Sequence, residues 1–283
     1  MDPNGLILLD KPEGMTSRAV DNALQRLFHT RKVGHLGTLD PFATGLLVVA
    51  IGKATKYLPF LPDEEKTYEA TLVLGKKTDT GDYQGEIIEE KQVPELSKQS
   101  IENVLSSFLG ESHQLPPMTS AIKKDGVPLY RLAHQGKEVE RELRPIYIHQ
   151  IRLLSFAHDE IRFEATVSKG TYIRTLGEDI AEKLGTVGFL SALRRTKVGP
   201  VEVKDALPLE KVDESALRVP SDFVFYPRVH LSGEQAKKGR NGVALDLPRG
   251  EERLLLLDET GIIAVYERQG SRYVCLRGLF DVA

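Results

Sequence analysis

The residues best suited to chemistry lie in a glycine-rich stretch at 34–45, which reads Gly-His-Leu-Gly-Thr-Leu-Asp-Pro-Phe-Ala-Thr-Gly. Its one carboxylate, Asp40, precedes Pro41, which fixes its own φ and favours an extended backbone at Asp40. An aspartate held in this way can attack a sugar or base carbon as a nucleophile if it is ionised. A nearby arginine would favour the ionised form. An ordinary Asp-Pro turn is the alternative interpretation.

The surrounding sequence predicts the elements that would hold these groups. The stretch reads as a shaped loop that leads into a buried strand at 46–51, and a helix over about 18–28 precedes it, capped by Thr16 or Ser17. Alternation predicts a strand at 66–74 and a hairpin at 147–167, and residues 76–86 read as a polar loop. A helix over about 172–184 follows Ser-Lys-Gly-Thr, and helix N-termini of this kind commonly face phosphate.

Composition limits the classes of protein to consider. The 283 residues are 41% hydrophobic and 28% charged, as in ordinary globular proteins. No apolar run approaches the ~20 residues of a membrane helix, and we expect no membrane association and no signal peptide. The single cysteine, Cys275, excludes an internal disulfide and is compatible with a reducing, cytoplasmic location. The seven histidines show no ligand spacing with cysteine, so no metal site is expected.

Charge is unevenly distributed along the chain, although its net value is only −3. Residues 121–204 carry 15 basic and 11 acidic side chains, whereas residues 61–120 carry 5 and 12. The basic block is the candidate for a surface that faces a polyanion. Within it, residues 123–145 have too little apolar face for a core element. They form either an excursion rich in Lys and Arg or a long surface loop.

Several short motifs occur along the chain in order and at fixed spacing. They are the 34–45 stretch, Asp10-Lys11-Pro12-x-Gly14-x-Thr16-Ser17, Lys66-x-Tyr68, Thr78-Asp79-Thr80-x-Asp82, Pro116-Pro117-x-x-Ser120-Ala121, Ser168-Lys169-Gly170-Thr171-Tyr172-Ile173-Arg174 and Leu193-Arg194-Arg195-Thr196. These motifs resemble those of the TruB-type tRNA pseudouridine synthases, and the resemblance spans residues 6–200 almost continuously.

The resemblance implies a catalytic role for three residues. Asp40 would attack the target uridine, at the ribose or at the base. Tyr68 would stack on the base and could handle a proton. Arg174 would pair with Asp40 and keep it ionised, which agrees with the electrostatic argument above.

The same resemblance implies residues that bind the substrate. His35 would fill the gap left by the extruded nucleotide, although a loop histidine is the alternative. Lys11 would support the floor of the active site, and Tyr172 and Leu193 would line the pocket. The segment 123–145 would clamp the RNA, with candidate contacts from Lys123, Lys124, Arg131, Arg141 and Arg144. The role of the Thr-Asp-Thr motif at 78–80 is left open.

For the fold, the resemblance implies an α+β catalytic domain at residues 1–225 with a mixed, largely antiparallel sheet. Three short strands after residue 250 would belong to a small C-terminal β-barrel of the PUA type at 226–283, with basic candidates Arg228, Lys237, Lys238 and Arg240. The expected substrate is uridine 55 in the T arm of tRNA, which a monomer would modify without a cofactor. Two alternatives are a tRNA-folding chaperone and a small-molecule glycosyl-transfer enzyme.

Overall fold

A computed structural model describes residues 3–120, 122–124, 126–133, 135–137, 139–247 and 250–279, without the side chain of Tyr130. Ala121 and Asp125, which belong to two predicted features, lie outside the described residues. The chain forms two compact units, one made of Met1–Asp40, Leu47–Pro62 and Asp205–Ala283 and the other of Pro41–Leu46 and Asp63–Lys204.

Strands outnumber helices along the chain. The strands are β1 (Gly5–Lys11), β2 (Val33–Leu36), β3 (Thr44–Ile51), β4 (Glu65–Leu74), β5 (Lys76–Thr78), β6 (Ile87–Glu90), β7 (Gly110–Gln114), β8 (Lys123–Lys124), β9 (Val127–Pro128), β10 (Arg144–Ala157), β11 (Glu160–Ser168), β12 (Gly188–Val198), β13 (Val201–Glu202), β14 (Leu207–Pro208), β15 (Arg228–His230), β16 (Arg253–Asp258), β17 (Gly261–Gln269) and β18 (Arg272–Gly278). The α-helices are α1 (Ser17–Leu27), α2 (Lys98–Ser106), α3 (Leu129–Ala133), α4 (Ile173–Lys183) and α5 (Gly233–Arg240). A 3-10 helix spans Gly52–Phe60. Among the described residues, no helix is long and apolar enough to cross a membrane.

In the first unit, α1 packs on the sheet that carries β1 and β3. Val20 and Leu24 on α1 are fully buried with Leu9 of β1 and Val49 of β3. Each such side chain contributes about 1.5–3 kcal/mol relative to an exposed one. The helix begins where the sequence predicted, because the Thr16 side chain accepts a hydrogen bond from the Ala19 amide. This packing fixes the segment that precedes the glycine-rich loop.

The last part of the first unit is a four-stranded sheet in the order β15-β16-β17-β18. The strands β16, β17 and β18 confirm the three predicted from the sequence, whereas β15, which is parallel to β16, and α5 were not predicted. Leu254, Leu256 and Tyr266 are fully buried in its core. Within the described residues no sheet is closed, so the predicted barrel is not confirmed.

The second unit contains a mixed, largely antiparallel sheet, as predicted. Its order is β3-β12-β4-β11-β10-β7, in which the first residues of β3 run parallel to β12 and the other neighbours are antiparallel. The predicted strand at 66–74, the hairpin and the helix after residue 172 are all confirmed. Tyr68 therefore lies on a central strand, between Ala165 of β11 and Arg195 of β12.

Two loop predictions were wrong in part. Residues 33–36 are a strand that pairs with β3, so the loop before β3 is shorter than the motif. The polar loop at 76–86 begins as strand β5, which pairs with β6 and brings Lys76 opposite Glu90. All four residues of β6 are exposed, so this strand has no buried face and leaves no alternating pattern in the sequence.

Candidate functional site

The loop that carries Asp40 is anchored by a serine at the start of α1. The Ser17 hydroxyl donates to the Leu39 carbonyl at 3.1 Å and accepts from the Leu39 amide at 2.9 Å. Ser17 is buried, so water does not compete for either bond. Because Leu39 precedes Asp40 directly, these bonds fix the half-buried aspartate. Thr16, not Ser17, is the helix cap. The hydrogen bonds between Ser17 and Leu39 were not predicted from the sequence.

At the other end of the loop, Gly45 is required for two reasons. Its φ is +102°, in the left-handed region that favours glycine, and an added Cβ would stand 2.3 Å from the Arg195 carbonyl oxygen. Arg195 is itself fully buried, and its Nε donates to the Leu46 carbonyl at 2.8 Å. The start of β3 is thus held closely against β12.

His35 lies on β2 and is bonded through both ring nitrogens. Its Nδ1 is 2.9 and 3.1 Å from the two carboxylate oxygens of Asp21, and its Nε2 is 3.2 Å from the Thr38 hydroxyl. Asp21 is buried on α1 and orients the ring. Sequence reasoning missed Asp21, because nothing local marks it as the partner of a histidine 14 residues away.

The Lys11 side chain is fully buried and donates to backbone carbonyls. Its Nζ lies 2.8 Å from the Pro12 oxygen and 2.6 Å from the Met15 oxygen. These bonds hold the turn between β1 and α1. Such contacts fit the supporting role expected from the sequence better than contact with a substrate.

In the second unit, Tyr68 and Leu193 lie on the neighbouring strands β4 and β12. Both are buried, with 8% and 6% of their surface exposed. Phe42, from the loop that carries Asp40, packs edge-on against Tyr83, with ring centroids 6.0 Å apart and planes at 88°. The loop is therefore anchored by an aromatic contact two residues after Asp40.

Arg174 lies in the first turn of α4 and is 3% exposed. Its guanidinium donates to the Thr80 carbonyl at 2.7 Å, to the Thr119 carbonyl at 3.0 Å and to the Thr119 hydroxyl. The Asp82 carboxylate stands 3.8 Å away. A fixed, fully charged guanidinium of this kind can stabilise a carboxylate or a developing negative charge.

The oxygen atoms around the Arg174 guanidinium form a cradle for it. The Thr-Asp-Thr motif, whose role the sequence left open, contributes to this cradle through the Thr80 carbonyl. Asp82 is buried and accepts from the Thr80 hydroxyl at 2.9 Å and from the Gln84 amide at 3.0 Å. The Thr78 hydroxyl donates to the Asp82 carbonyl at 2.7 Å. The loop is thus shaped by its own side chains and presents a carbonyl and a carboxylate to Arg174.

A second ion pair joins the start of β4 to the motif before α4. Asp63 lies 2.5 Å from Lys66 and 2.7 Å from Lys169, measured from carboxylate oxygen to Nζ. Burial lowers the pKa of Lys66. Burial also opposes ionisation of Asp63, but hydrogen bonds from Lys169 and Lys66 outweigh it and lower the pKa of that carboxyl. These contacts hold the Ser-Lys-Gly-Thr segment beside the strand of Tyr68.

The predicted RNA-clamping cations lie around the segment 123–145. Lys123, Lys124, Arg131 and Arg144 are exposed. All five except Arg131 line one cavity of about 420 Å³. Its shape is set by backbone contacts, since Lys124 donates to the Glu140 carbonyl at 2.7 Å and Arg141 to the Pro116 carbonyl at 2.9 Å.

The predicted site residues are therefore placed in three groups. Lys11, His35 and Asp40 lie around α1 in the first unit. Tyr68, Arg174 and Leu193 lie on β4, α4 and β12 in the second unit, and Tyr172 is the N-cap of α4. The second unit also holds the five residues of the predicted clamp. Sequence reasoning missed Asp21 and Thr119, and it missed the contact of Ser17 with Leu39.

Family models match nearly the whole of the region that contains these residues. One described as TruB family pseudouridylate synthase (N terminal domain) matches residues 25–173. Another, described as tRNA pseudouridylate synthase B C-terminal domain, matches residues 174–222.

Individual proteins are similar over most of their length. A protein of Syntrophotalea carbinolica named tRNA pseudouridine synthase B is 43% identical, and the match covers 99% of this chain and 96% of that protein. A protein of the same name from Hydrogenovibrio crunogenus is 43% identical, with coverage of 89% and 84%. A chain in the crystal structure of a Cbf5-Nop10-Gar1 complex superposes with a TM-score of 0.73 at 24% identity, covering 98% of this chain and 84% of that one, and thus has the same fold.

Proposed function

The chain belongs to the TruB family of pseudouridylate synthases, and we propose that it isomerises uridine 55 in the T arm of tRNA to pseudouridine. The observation that carries this proposal is the match to the family models over residues 25–222, which include Asp40, Tyr68 and Arg174. The curated relatives described above are named for action on tRNA.

The reaction is an isomerisation, so the atoms of the nucleotide are conserved. The C–N glycosidic bond of uridine breaks, the uracil turns, and a C–C bond forms between its carbon 5 and the ribose. The proton lost from carbon 5 balances the hydrogen gained at the released nitrogen. Asp40 serves as the nucleophile that forms a covalent intermediate, and the anchored loop supports this role because a nucleophile must be held in one place.

Arg174 and Tyr68 are the other two catalytic residues in this proposal. The cradle around Arg174 supports its role, since a guanidinium already desolvated and hydrogen-bonded needs no reorganisation during the reaction. Arg174 keeps Asp40 ionised. Tyr68 stacks on the extruded base and can take part in proton transfer. Leu193 and Tyr172 line the pocket, and Lys11 supports the floor of the active site.

Recognition requires the target nucleotide to leave its stack, at a cost of a few kcal/mol. His35 fills the gap, and the clamp residues Lys123, Lys124, Arg131, Arg141 and Arg144 contact the RNA backbone. The proposal also assigns residues 1–225 to a catalytic domain and residues 226–283 to a PUA-like RNA-binding domain. In it the protein acts as a cytoplasmic monomer without a cofactor.

Mapping of pseudouridine on bulk tRNA after incubation with the purified protein tests the target. We expect product at position 55, and product only at other positions would contradict the assignment. Asp40→Asn should lower the turnover to background and leave tRNA affinity within about tenfold, because the change removes the nucleophile but little of the RNA-binding surface. Asp159→Asn, in an exposed turn of the β10–β11 hairpin, is the matched control and should be fully active.

The same experiment separates the two alternatives. A protein that acts mainly as a chaperone, binding and releasing the T arm with modification secondary, would bind RNA but form little pseudouridine. A small-molecule glycosyl-transfer enzyme would fail to retain T-arm RNA in a filter assay.

A further inference from the structure

Gln114, the last residue of β7, forms two side-chain hydrogen bonds with one backbone position at the start of α4. Its Nε2 donates to the Tyr172 carbonyl at 3.0 Å, and its Oε1 accepts from the Tyr172 amide at 2.7 Å. Gln114 is 3% exposed, so both bonds are shielded from water. A glutamine amide presents a donor and an acceptor side by side. It therefore pairs with Tyr172 as the backbone of a neighbouring strand would.

The start of α4 needs such a partner. Tyr172 is the N-cap residue of the helix, but its side chain makes no capping hydrogen bond. N-cap positions usually carry Ser, Thr, Asp or Asn, whose side chains fix the first turn. Here the fixation comes from Gln114, which is 58 residues away along the chain. Arg174 follows two residues after the N-cap and takes its position from it.

Thr119 holds the same turn from a second direction. Its carbonyl accepts from the Arg174 guanidinium at 3.0 Å, and its hydroxyl is bonded to the same group. The segment 114–119 thus contacts the start of α4 at two points, the backbone of Tyr172 and the guanidinium of Arg174. Pro116 and Pro117 lie between them and restrict the segment, since each proline fixes its own φ.

We infer that Gln114 and Thr119 are positioning residues for the isomerisation, an inference that rests on the function proposed above. Neither residue needs to touch the substrate. Gln114 sets the backbone from which Tyr172 and Arg174 project, and Thr119 sets the direction of the guanidinium. Their loss should therefore slow the chemical step and leave the binding of RNA nearly unchanged.

The first test compares Gln114→Leu, which removes both hydrogen bonds at similar volume, with the wild-type protein. The single-turnover rate constant on a T-arm stem-loop at saturating protein should fall about tenfold to a hundredfold, because misplacement of a catalytic group by about 1 Å has effects of this size. The dissociation constant in a filter assay should stay within threefold. The matched control Gln99→Leu, on the exposed face of α2, should change neither quantity.

The second test uses Gln114→Glu and distinguishes positioning from a general loss of structure. An ionised glutamate accepts from the Tyr172 amide but cannot donate to the Tyr172 carbonyl, whereas a protonated one can do both. Burial favours the protonated form of a glutamate, so lowering the pH should restore both hydrogen bonds. The ratio of the variant's rate constant to that of the wild type should rise severalfold as the pH is lowered from 8 to 5.5.

The outcomes separate this inference from the proposed function. A rate constant for Gln114→Leu within twofold of the wild type, or RNA binding weakened as much as the chemistry, would overturn the positioning role. If Gln114→Leu does not fold, the Gln114→Glu ratio decides, and a ratio independent of pH would overturn it. Wild-type protein that forms no pseudouridine would contradict the proposed function and this inference together.

Discussion

The second unit holds its cations in two contrasting ways. Arg174 is buried, and a carbonyl of the 78–82 loop, both oxygens of Thr119 and a nearby carboxylate surround its guanidinium. Lys123, Lys124 and Arg144 of the clamping segment are exposed. A buried, oriented charge can stabilise one atom in one place, whereas exposed cations neutralise phosphates that vary in position. Under the proposed function, this contrast predicts that chemistry and RNA affinity depend on different residues and can be separated by mutation.

The largest effect should follow from Arg174→Lys, which keeps the charge but loses the fork of donors. A lysine cannot reach the Thr80 and Thr119 carbonyls together, so we expect the single-turnover rate constant to fall about a hundredfold or more with RNA affinity little changed. Arg152→Lys, at an exposed position on β10, is the control and should be active. A variant with normal chemistry but weak RNA binding would reverse the assignment of the two regions.

An intermediate effect should follow from the triple change Lys123→Gln, Lys124→Gln and Arg144→Gln. Affinity for T-arm RNA should fall roughly tenfold to a hundredfold at low salt. The negative slope of log affinity against log salt concentration should become shallower by about 1 for each lost phosphate contact. The rate constant at saturating protein should be unchanged. Lys98→Gln on α2 provides a control. An unchanged salt slope in the triple variant would contradict the proposal that these three residues contact the RNA.

The smallest effect concerns stability and tests whether α4 matters for chemistry only at its first turn. Burial, together with the charges of Glu178 and Glu182, raises the pKa of Asp179 to about 6. This pKa is above the value of 3.8 for the unfolded chain. Protonated Asp179 therefore makes its full contribution to the free energy of unfolding below about pH 3.8, and this contribution is lost as the pH rises through about 6.

Asp179→Asn removes this penalty at high pH. After solvent screening is considered, we expect a gain of about 1 kcal/mol at pH 8, or about 2 °C in Tm, and no gain at pH 4. Thermal unfolding at the two pH values measures the difference. The rate of pseudouridine formation should match that of the wild type, and a slower reaction would mean that the whole helix is tuned for catalysis.

Elements with a strong local pattern were predictable from the sequence. The central strand β4, the β10–β11 hairpin, α4 and the three C-terminal strands each carry alternation, a cap or a turn signal within a few residues. The strand β6 was missed because all of its residues are exposed. Three-residue β15 is too short to show a period.

The residues of the site also fall into those that a local motif predicted and those that no local pattern marks. Asp40, Tyr68 and Arg174 were identified through motifs, and their roles stay predictions. The residues that hold them were not found, because their contacts join distant parts of the chain: Thr80 is 94 residues from Arg174, and Ser17 is 22 residues from Leu39. No local periodicity marks such pairs. The Thr-Asp-Thr motif was visible in the sequence, but only the folded chain shows that it surrounds Arg174.

Gly45 has a consequence for how this sequence can vary over time. Every other amino acid brings a Cβ, and at this position that atom would meet the Arg195 carbonyl at 2.3 Å. Every codon change that replaces this glycine therefore introduces that atom. Position 45 thus offers no neutral amino-acid substitution. The turn five residues after Asp40 is thereby fixed in the gene as firmly as the aspartate itself.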